Sequence, residues 1–238
     1  MPSEKRPPQV AIIDNSIEPA VYRPVDHWGT WLDFQAAFVA REGDFPDLRQ
    51  GFTHLILTGS EASINVREPW VEREAELVRE ATSQGLAILG SCWGHQLIAY
   101  ALAGPAHVRP CRRPEIGWLP IRIFGRDELL GPAGEAHSFT LHFDEVTGLD
   151  GRFEVLAETE ICAVQAFRVK SRPVWGLQPH PEIDPPSGRE LLRGLRDRGA
   201  RGKEDLDAAL RLEARDSRLV LRIVRAFLAA SVPSSLSR

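Results

Sequence analysis

The sequence predicts an α/β fold: an open, mostly parallel central sheet with helices on both faces, followed by a C-terminal helical extension. Three observations carry that prediction. Short apolar runs alternate with helix-period stretches through the first hundred residues, a β-rich texture follows Gly104, and charged amphipathic periodicity begins near Ser187. Strand, helix, strand, helix in that order is the pattern of parallel strands joined by crossovers. With 238 residues and 43% hydrophobic content, the chain can bury one substantial core, and one domain is expected.

Residues 1–8 are polar and proline-rich and read as a flexible tail. "QVAIIDN" from Gln9 behaves as a buried strand, as does "HLILTGS" at 54–60. In "REPWVEREAELVREATSQG", Trp70, Ala75, Leu77, Val78 and Ala81 recur at nearly helical spacing, and Gly85 is the expected stop. "LAILG" at 86–90 is a third strand, and "HQLIAYALAG" is an apolar helix that Gly104 ends. Beyond it, "IGWLPIRIF", "HSFTLHFDEV", "RFEVLAET", "CAVQAFRV" and "VWGLQPHPE" are short strand-like runs separated by turn residues. The domain is expected to span 9–186. Two or three amphipathic helices in 187–238 then pack on it or extend it, their charges forming solvated faces.

The formal net charge is -4, with Lys and Arg interleaved among Asp and Glu. No basic surface for phosphates is expected, which argues against nucleic acid as a partner. No apolar run approaches the roughly 18 residues of a membrane span, and "MPSEKRPPQV" lacks the apolar centre of a signal peptide. Cys92, Cys111 and Cys162 are too few and too scattered for a disulfide framework or a zinc site, and an odd number leaves a free thiol. A cytoplasmic protein without metal or cofactor is the expectation.

The chemistry concentrates in "GSCWGHQLI" at 90–98. A strand that ends in glycine, presents a nucleophile at a sharp turn and then enters a helix forms a nucleophile elbow, here with cysteine in a GxCxG pattern. Gly90 and Gly94 supply room for the turn, and a thiol at a helix N-terminus meets the positive end of the dipole, which favours thiolate. A thiolate nucleophile works with a histidine that holds and returns a proton, itself steered by a carboxylate or amide. Among seven histidines, His180 in "GLQPHPE" is the best placed, at a strand end with Glu182 two residues on. In an extended segment those two side chains project to the same side.

"GSCWGHQ" together with "GLQPHPE" resembles the class I, triad-type glutamine amidotransferase family, whose sheet is flavodoxin-like. "LILTGSEAS" resembles the family's strand and glycine loop that completes an oxyanion hole, and "LHFDEV" its histidine-aspartate segment near the glutamine pocket. "PEIGWLPI" is similar to the free-standing subgroup related to the amidotransferase domain of GMP synthase. The resemblance spans roughly residues 9–185. It implies Cys92 as nucleophile, His180 as general base and acid, and Glu182 as the residue orienting His180. It further implies a glutamine contact from Gln96, a pocket whose wall Phe143 reshapes and His142 and Asp144 line, the alternative for those two being a polar loop after a strand, and an oxyanion hole built from backbone N–H groups of Trp93 and the Gly59–Ser60 turn. No metal is implied.

The chain departs from the family pattern at Ser60, where a second glycine is common, at Phe143, where glycine often stands, and at Pro179, where an aromatic residue is frequent. His95 is read as a helix-packing residue; Cys111, Cys162, His54 and His107 are read as structural, and the six tryptophans as core and rim. Only about fifty residues follow Glu182, too few for a synthetase domain, and no GxxxxGKS loop occurs. The first functional expectation is therefore a stand-alone glutamine amidotransferase or glutaminase, with a separate synthetase as its partner. The alternatives are a hydrolase of γ-glutamyl peptides or conjugates using the same triad, and a non-catalytic regulatory or interaction module.

Overall fold

The structure, a computed structural model, describes residues 7–125 and 127–230. Residues 1–6 of the expected tail and the last eight of the expected C-terminal helical segment lie outside the described residues.

In chain order the elements are β1 (Val10–Asp14), α1 (Pro24–Gly29), β2 (Ala36–Val39), β3 (His54–Leu57), α2 (Val71–Gln84), β4 (Ala87–Ser91), α3 (Trp93–Leu102), β5 (Val108–Ile123), β6 (Gly134–Val146), β7 (Phe153–Glu158), β8 (Ala166–Val169), β9 (Val174–Leu177), α4 (Pro185–Asp197), α5 (Lys203–Arg211) and α6 (Leu219–Ala229). One nine-stranded sheet runs in the order β2-β1-β3-β4-β9-β8-β7-β5-β6. From β2 to β9 neighbours are parallel, and from β9 to β6 they are antiparallel. The parallel half is the one expected from the alternating strands and helices; the β-rich second half of the chain adds its antiparallel strands to the same sheet.

Successive side chains of a strand point to opposite faces, and the two cores follow from this alternation. Ala11, Ile13, Leu55, Leu57 and Ile88 face Leu77, Val78, Leu97 and Ile98 of α2 and α3. Val10, Ile12, Ile56, Ala87 and Leu89 face Trp28 of α1 and Val220, Ile223, Val224 and Phe227 of α6. The last four recur at i, i+3, i+4 and i+7, the stripe of a core-facing helix. Helix α6 thus covers one face of the parallel sheet, while α4 and α5 close a third core with Trp118 and Phe139.

The expected helix starts at Val71 and stops at Gly85, whose φ of 83° is the left-handed cap that glycine adopts most readily. Several expectations on strand extent change. β3 ends at Leu57, releasing Thr58–Ser60 as a loop; β8 starts only at Ala166; β9 ends at Leu177, before Gln178; and β5 begins at Val108, with an irregular register between Pro110 and Glu115. The antiparallel half also curls. The segment after β9 returns to the outer edge of β6, where His180 N donates to Phe139 O at 2.8 Å.

Candidate active site

The elbow sits between β4 and α3. Cys92 has φ 49° and ψ −104°, a conformation that costs about 1–3 kcal/mol for a residue with a side chain and persists only where its surroundings enforce it. Cys92 N donates to Leu177 O at 2.7 Å, and Gly94 N donates to Thr58 O at 3.1 Å. Glycine is required on both sides of the thiol: a Cβ on Gly90 would lie 2.5 Å from the Gly94 carbonyl, and one on Gly94 would run into Leu57 O. The Cys92 Sγ lies 3.5 Å from Leu141 O of β6 and is nearly enclosed.

Because Cys92 N is bonded to the last residue of β9, the chain leaving β9 passes beside the elbow. His180 and Glu182 stand on that segment, both buried, with Nδ1 2.9 Å from Glu182 Oε1. The pleat expected from their i, i+2 spacing is not what joins them. Ile183 N donates to His180 O at 3.2 Å, so the pair meets across a turn beyond the strand end. Burial disfavours a charged imidazole, but the neighbouring charges of Cys92 and Glu182, with hydrogen bonds to both, outweigh it and raise His180 from 6.5 to about 10. A ring whose Nδ1 faces a carboxylate has Nε2 left for the thiol.

The structure gathers most of the expected pocket residues around this centre. A Cβ on Gly59 would lie 2.5 Å from His180 Cε1, so the loop after β3 touches the His180 ring directly. Ser60 is not among the residues with positive φ, so serine sits there without strain, its Oγ accepting from Ala62 N at 3.0 Å. Trp93 opens α3, so its N–H has no acceptor within the helix. Gln96 is buried, and its Nε2 donates to Asp144 O at 3.0 Å and to Gln178 Oε1 at 3.3 Å. Phe143 lies against Gly202, with the Arg201 guanidinium 4.0 Å above its ring. The α4–α5 connection therefore packs on the strand that passes Cys92.

His142 does not offer a free ring nitrogen to a pocket. Its Nε2 lies 3.0 Å from Glu115 Oε2, and its Nδ1 lies 3.0 Å from Asp144 O. Glu115 also accepts from Thr159 and Gln165. Cys111 and Cys162, scattered in sequence, both come to this cluster. Cys111 Sγ is 3.4 Å from His142 Nδ1, and ligand atoms of Glu115, His142 and Cys162 lie within 4.8 Å of one another. Burial pushes the Cys162 thiol up to about 12, which keeps it protonated. His142 pairs with Glu115, while Cys162 Sγ donates to Val164 O at 3.7 Å, and the cluster anchors β6 beside the elbow. His95 is fully buried against Phe167, and burial lowers it to about 3, in keeping with a packing role.

Several contacts around the centre carried no sequence signal, including that of Ser91 although it stands in the elbow motif. Tyr22 OH, Ser91 Oγ and Trp31 Nε1 reach Glu182, the first two at Oε1 and the third at its backbone oxygen. Tyr22 and Trp31 come from the stretch between β1 and β2, which holds no motif and approaches Glu182 only through the fold.

A family model described as glutamine amidotransferase class-I matches residues 29–194. The chain is similar to a GMP synthase (glutamine-hydrolyzing) subunit from Methanothermobacter thermautotrophicus, at 35% identity over 116 residues, covering 48% of this chain and 61% of that protein. The corresponding protein of Methanocaldococcus jannaschii is 33% identical over 129 residues, covering 53% and 68%. The chain thus spans about three fifths to two thirds of these relatives' own length. Among solved structures, a glutamine amidotransferase from Thermotoga maritima superposes with a TM-score of 0.74 at 18% identity, covering 94% of this chain and 97% of that one. One from Methylobacillus flagellatus gives 0.66 at 23%, covering 92% and 89%. Among the described residues no helix is long and apolar enough to cross a membrane. With the elbow, the family match and the shared architecture together, the chain belongs to the class-I glutamine amidotransferase family.

Proposed function

We propose that this protein hydrolyses the side-chain amide of L-glutamine through a γ-glutamyl thioester on Cys92 and releases ammonia. The observation that carries the reading is the buried His180–Glu182 pair, 2.9 Å apart, beside a cysteine held in a strained conformation at a helix N-terminus. The Cys92 thiolate attacks the amide carbon, and the carbonyl oxygen becomes an oxyanion facing the N–H groups of Trp93 and the Gly59–Ser60 turn. His180, as imidazolium, gives its Nε2 proton to the departing nitrogen, the C–N bond breaks, and ammonia leaves. His180, now neutral, takes a proton from water; the hydroxide adds to the thioester, and collapse releases glutamate and the thiolate. Glu182 keeps Nδ1 protonated and the ring aimed through both steps.

The GMP synthase relatives are themselves single subunits by name, which supports a separate synthetase that receives the ammonia. It would work with this chain in a cytoplasm that keeps Cys92, Cys111 and Cys162 free. A second reading, hydrolysis of γ-glutamyl peptides or conjugates, is favoured by Phe143 and Arg201, whose bulk alters the wall where the family often has glycine. The deciding measurement is release of ammonia and glutamate from L-glutamine beside a γ-glutamyl dipeptide, with Cys92→Ala as the blank. Turnover of glutamine supports the first reading, and turnover of the dipeptide alone supports the second. Silence with both, even in the presence of a partner synthetase, overturns both.

A further inference from the structure

We infer that Tyr22 is a positioning residue of this site, holding Glu182 Oε1 against the histidine and tying that pair to the loop that carries Gly59 and Ser60. This role rests on the triad reading above and belongs to a group that the family motifs do not contain.

Tyr22 is buried in the segment between β1 and α1. Its hydroxyl lies 3.4 Å from Glu182 Oε1 and 3.3 Å from His180 Nδ1. Nδ1 is closer to Oε1, at 2.9 Å, so its hydrogen is directed at the carboxylate and the phenol donates to Oε1 as well. Ser91 Oγ adds a third donor at 3.3 Å. Glu182 Oε2, by contrast, is buried with no partner among the described residues. Three donors on one oxygen and none on the other fix which way the carboxylate turns. The phenol stays a donor: burial and the Glu182 charge hold Tyr22 well above its usual range.

The same residue reaches the oxyanion loop. A Cβ on Gly59 would lie 2.9 Å from the Tyr22 hydroxyl. Ser16 Oγ bonds to both Tyr22 O and Glu61 Oε1, at 2.8 and 3.1 Å, and Ile17 N donates to Glu61 Oε2. One segment after β1 therefore clasps the loop on one side and the acid–base pair on the other. The groups that bear on the His180 charge are Cys92 from the elbow and Glu182 from its own turn, with Tyr22 and His27 from the clasp.

A donor on Oε1 disperses the carboxylate charge, so removing it leaves a stronger partner for imidazolium and a looser one in space. The test is alkylation of Cys92 by iodoacetamide across pH, read by mass spectrometry on the Cys92 peptide. The parent, Tyr22→Phe and His180→Ala are compared. Tyr22→Phe keeps the ring stacked on His27 and edge-on to His180, and a thermal melt checks that it folds. The expected result is an alkaline limb, absent in His180→Ala, that moves up by about half a pH unit in Tyr22→Phe. Turnover is expected to show kcat about tenfold lower with KM nearly unchanged. A limb and kcat identical to those of the parent overturn the role of Tyr22 while leaving the triad standing. A parent that alkylates as His180→Ala does overturns the triad reading, and the role of Tyr22 with it.

Discussion

Gly59 and His180 stand against each other so closely that a single methyl group on the glycine would lie 2.5 Å from the imidazole Cε1. The loop after β3 and the turn after β9 are thus one steric unit, although they are far apart in sequence. Gly59→Ala should push the ring away from Cys92 while leaving the fold intact, because the clash involves only side chains at the site, His180 and the Tyr22 hydroxyl. A displacement of about 1 Å at a reacting group costs on the order of 100-fold in rate. The expected outcome is a loss of that size in kcat/KM with a nearly unchanged melting temperature; parental kcat/KM would show that the ring relaxes freely.

Cys92→Ala should remove turnover entirely and leave folding intact, since alanine is smaller and keeps the elbow backbone. Retained turnover would end the covalent mechanism.

Glu182→Gln preserves an acceptor oxygen for Tyr22, Ser91 and His180 and places its NH2 where Oε2 has no partner. It removes the charge that helps to raise His180. Residual activity of about 1% or less of the parent is expected, with the alkaline limb of kcat/KM moved to lower pH, because imidazolium has lost its carboxylate. An unmoved limb would mean that the Glu182 charge does not act on the base.

Glu74 of α2 gives a pH prediction away from the reacting atoms. It is fully buried with both carboxyl oxygens unpartnered among the described residues. Burial raises it to about 8, against a smaller lowering from Asn15. The unfolded chain releases that proton near 4.5, so between 4.5 and 8 the folded state holds one proton more. The contribution of the neutral acid to stability is full below 4.5 and is lost as pH rises through 8, by a few kcal/mol in order of magnitude. The melting temperature of the parent minus that of Glu74→Gln should therefore fall steadily from about pH 5 to about pH 8; a constant difference would refute it.

Phe143→Gly removes the ring that Arg201 covers and opens the wall beside Leu141. If the ring sets the substrate, kcat/KM for glutamine relative to a γ-glutamyl dipeptide should change by about tenfold, a difference typical of pocket reshaping. An unchanged ratio places the ring outside the substrate's reach.

The elbow is legible in the sequence because its requirements are local: Gly90, Cys92 and Gly94 meet within one short turn, and their sterics can be argued without the fold. The His180 turn is legible as a motif, although its i, i+2 spacing suggests a pleat where the chain makes a turn. Tyr22 and Trp31 are not legible, because nothing near them in sequence reports that Glu182 will arrive beside them; Ser91 stands in the elbow motif, but its contact with Glu182 is not readable from it. The i, i+3, i+4, i+7 pattern of Val220, Ile223, Val224 and Phe227 stands in the sequence, but the surrounding arginines give α6 the look of a solvated appendage. The start of β5 is hidden by Pro110 and by arginines that break the alternation around its irregular register.

Three successive outward carbonyls of β6 have partners that come from far away in the chain: His137 O takes Ser217 N, Phe139 O takes His180 N, and Leu141 O faces Cys92 Sγ. An edge strand with open backbone groups is a template for other chains. Here the outer rail of the sheet is occupied by His180 and Cys92 themselves. A strand that zipped onto β6 would have to evict both, so loss of chemical competence would be an early sign of edge-to-edge association.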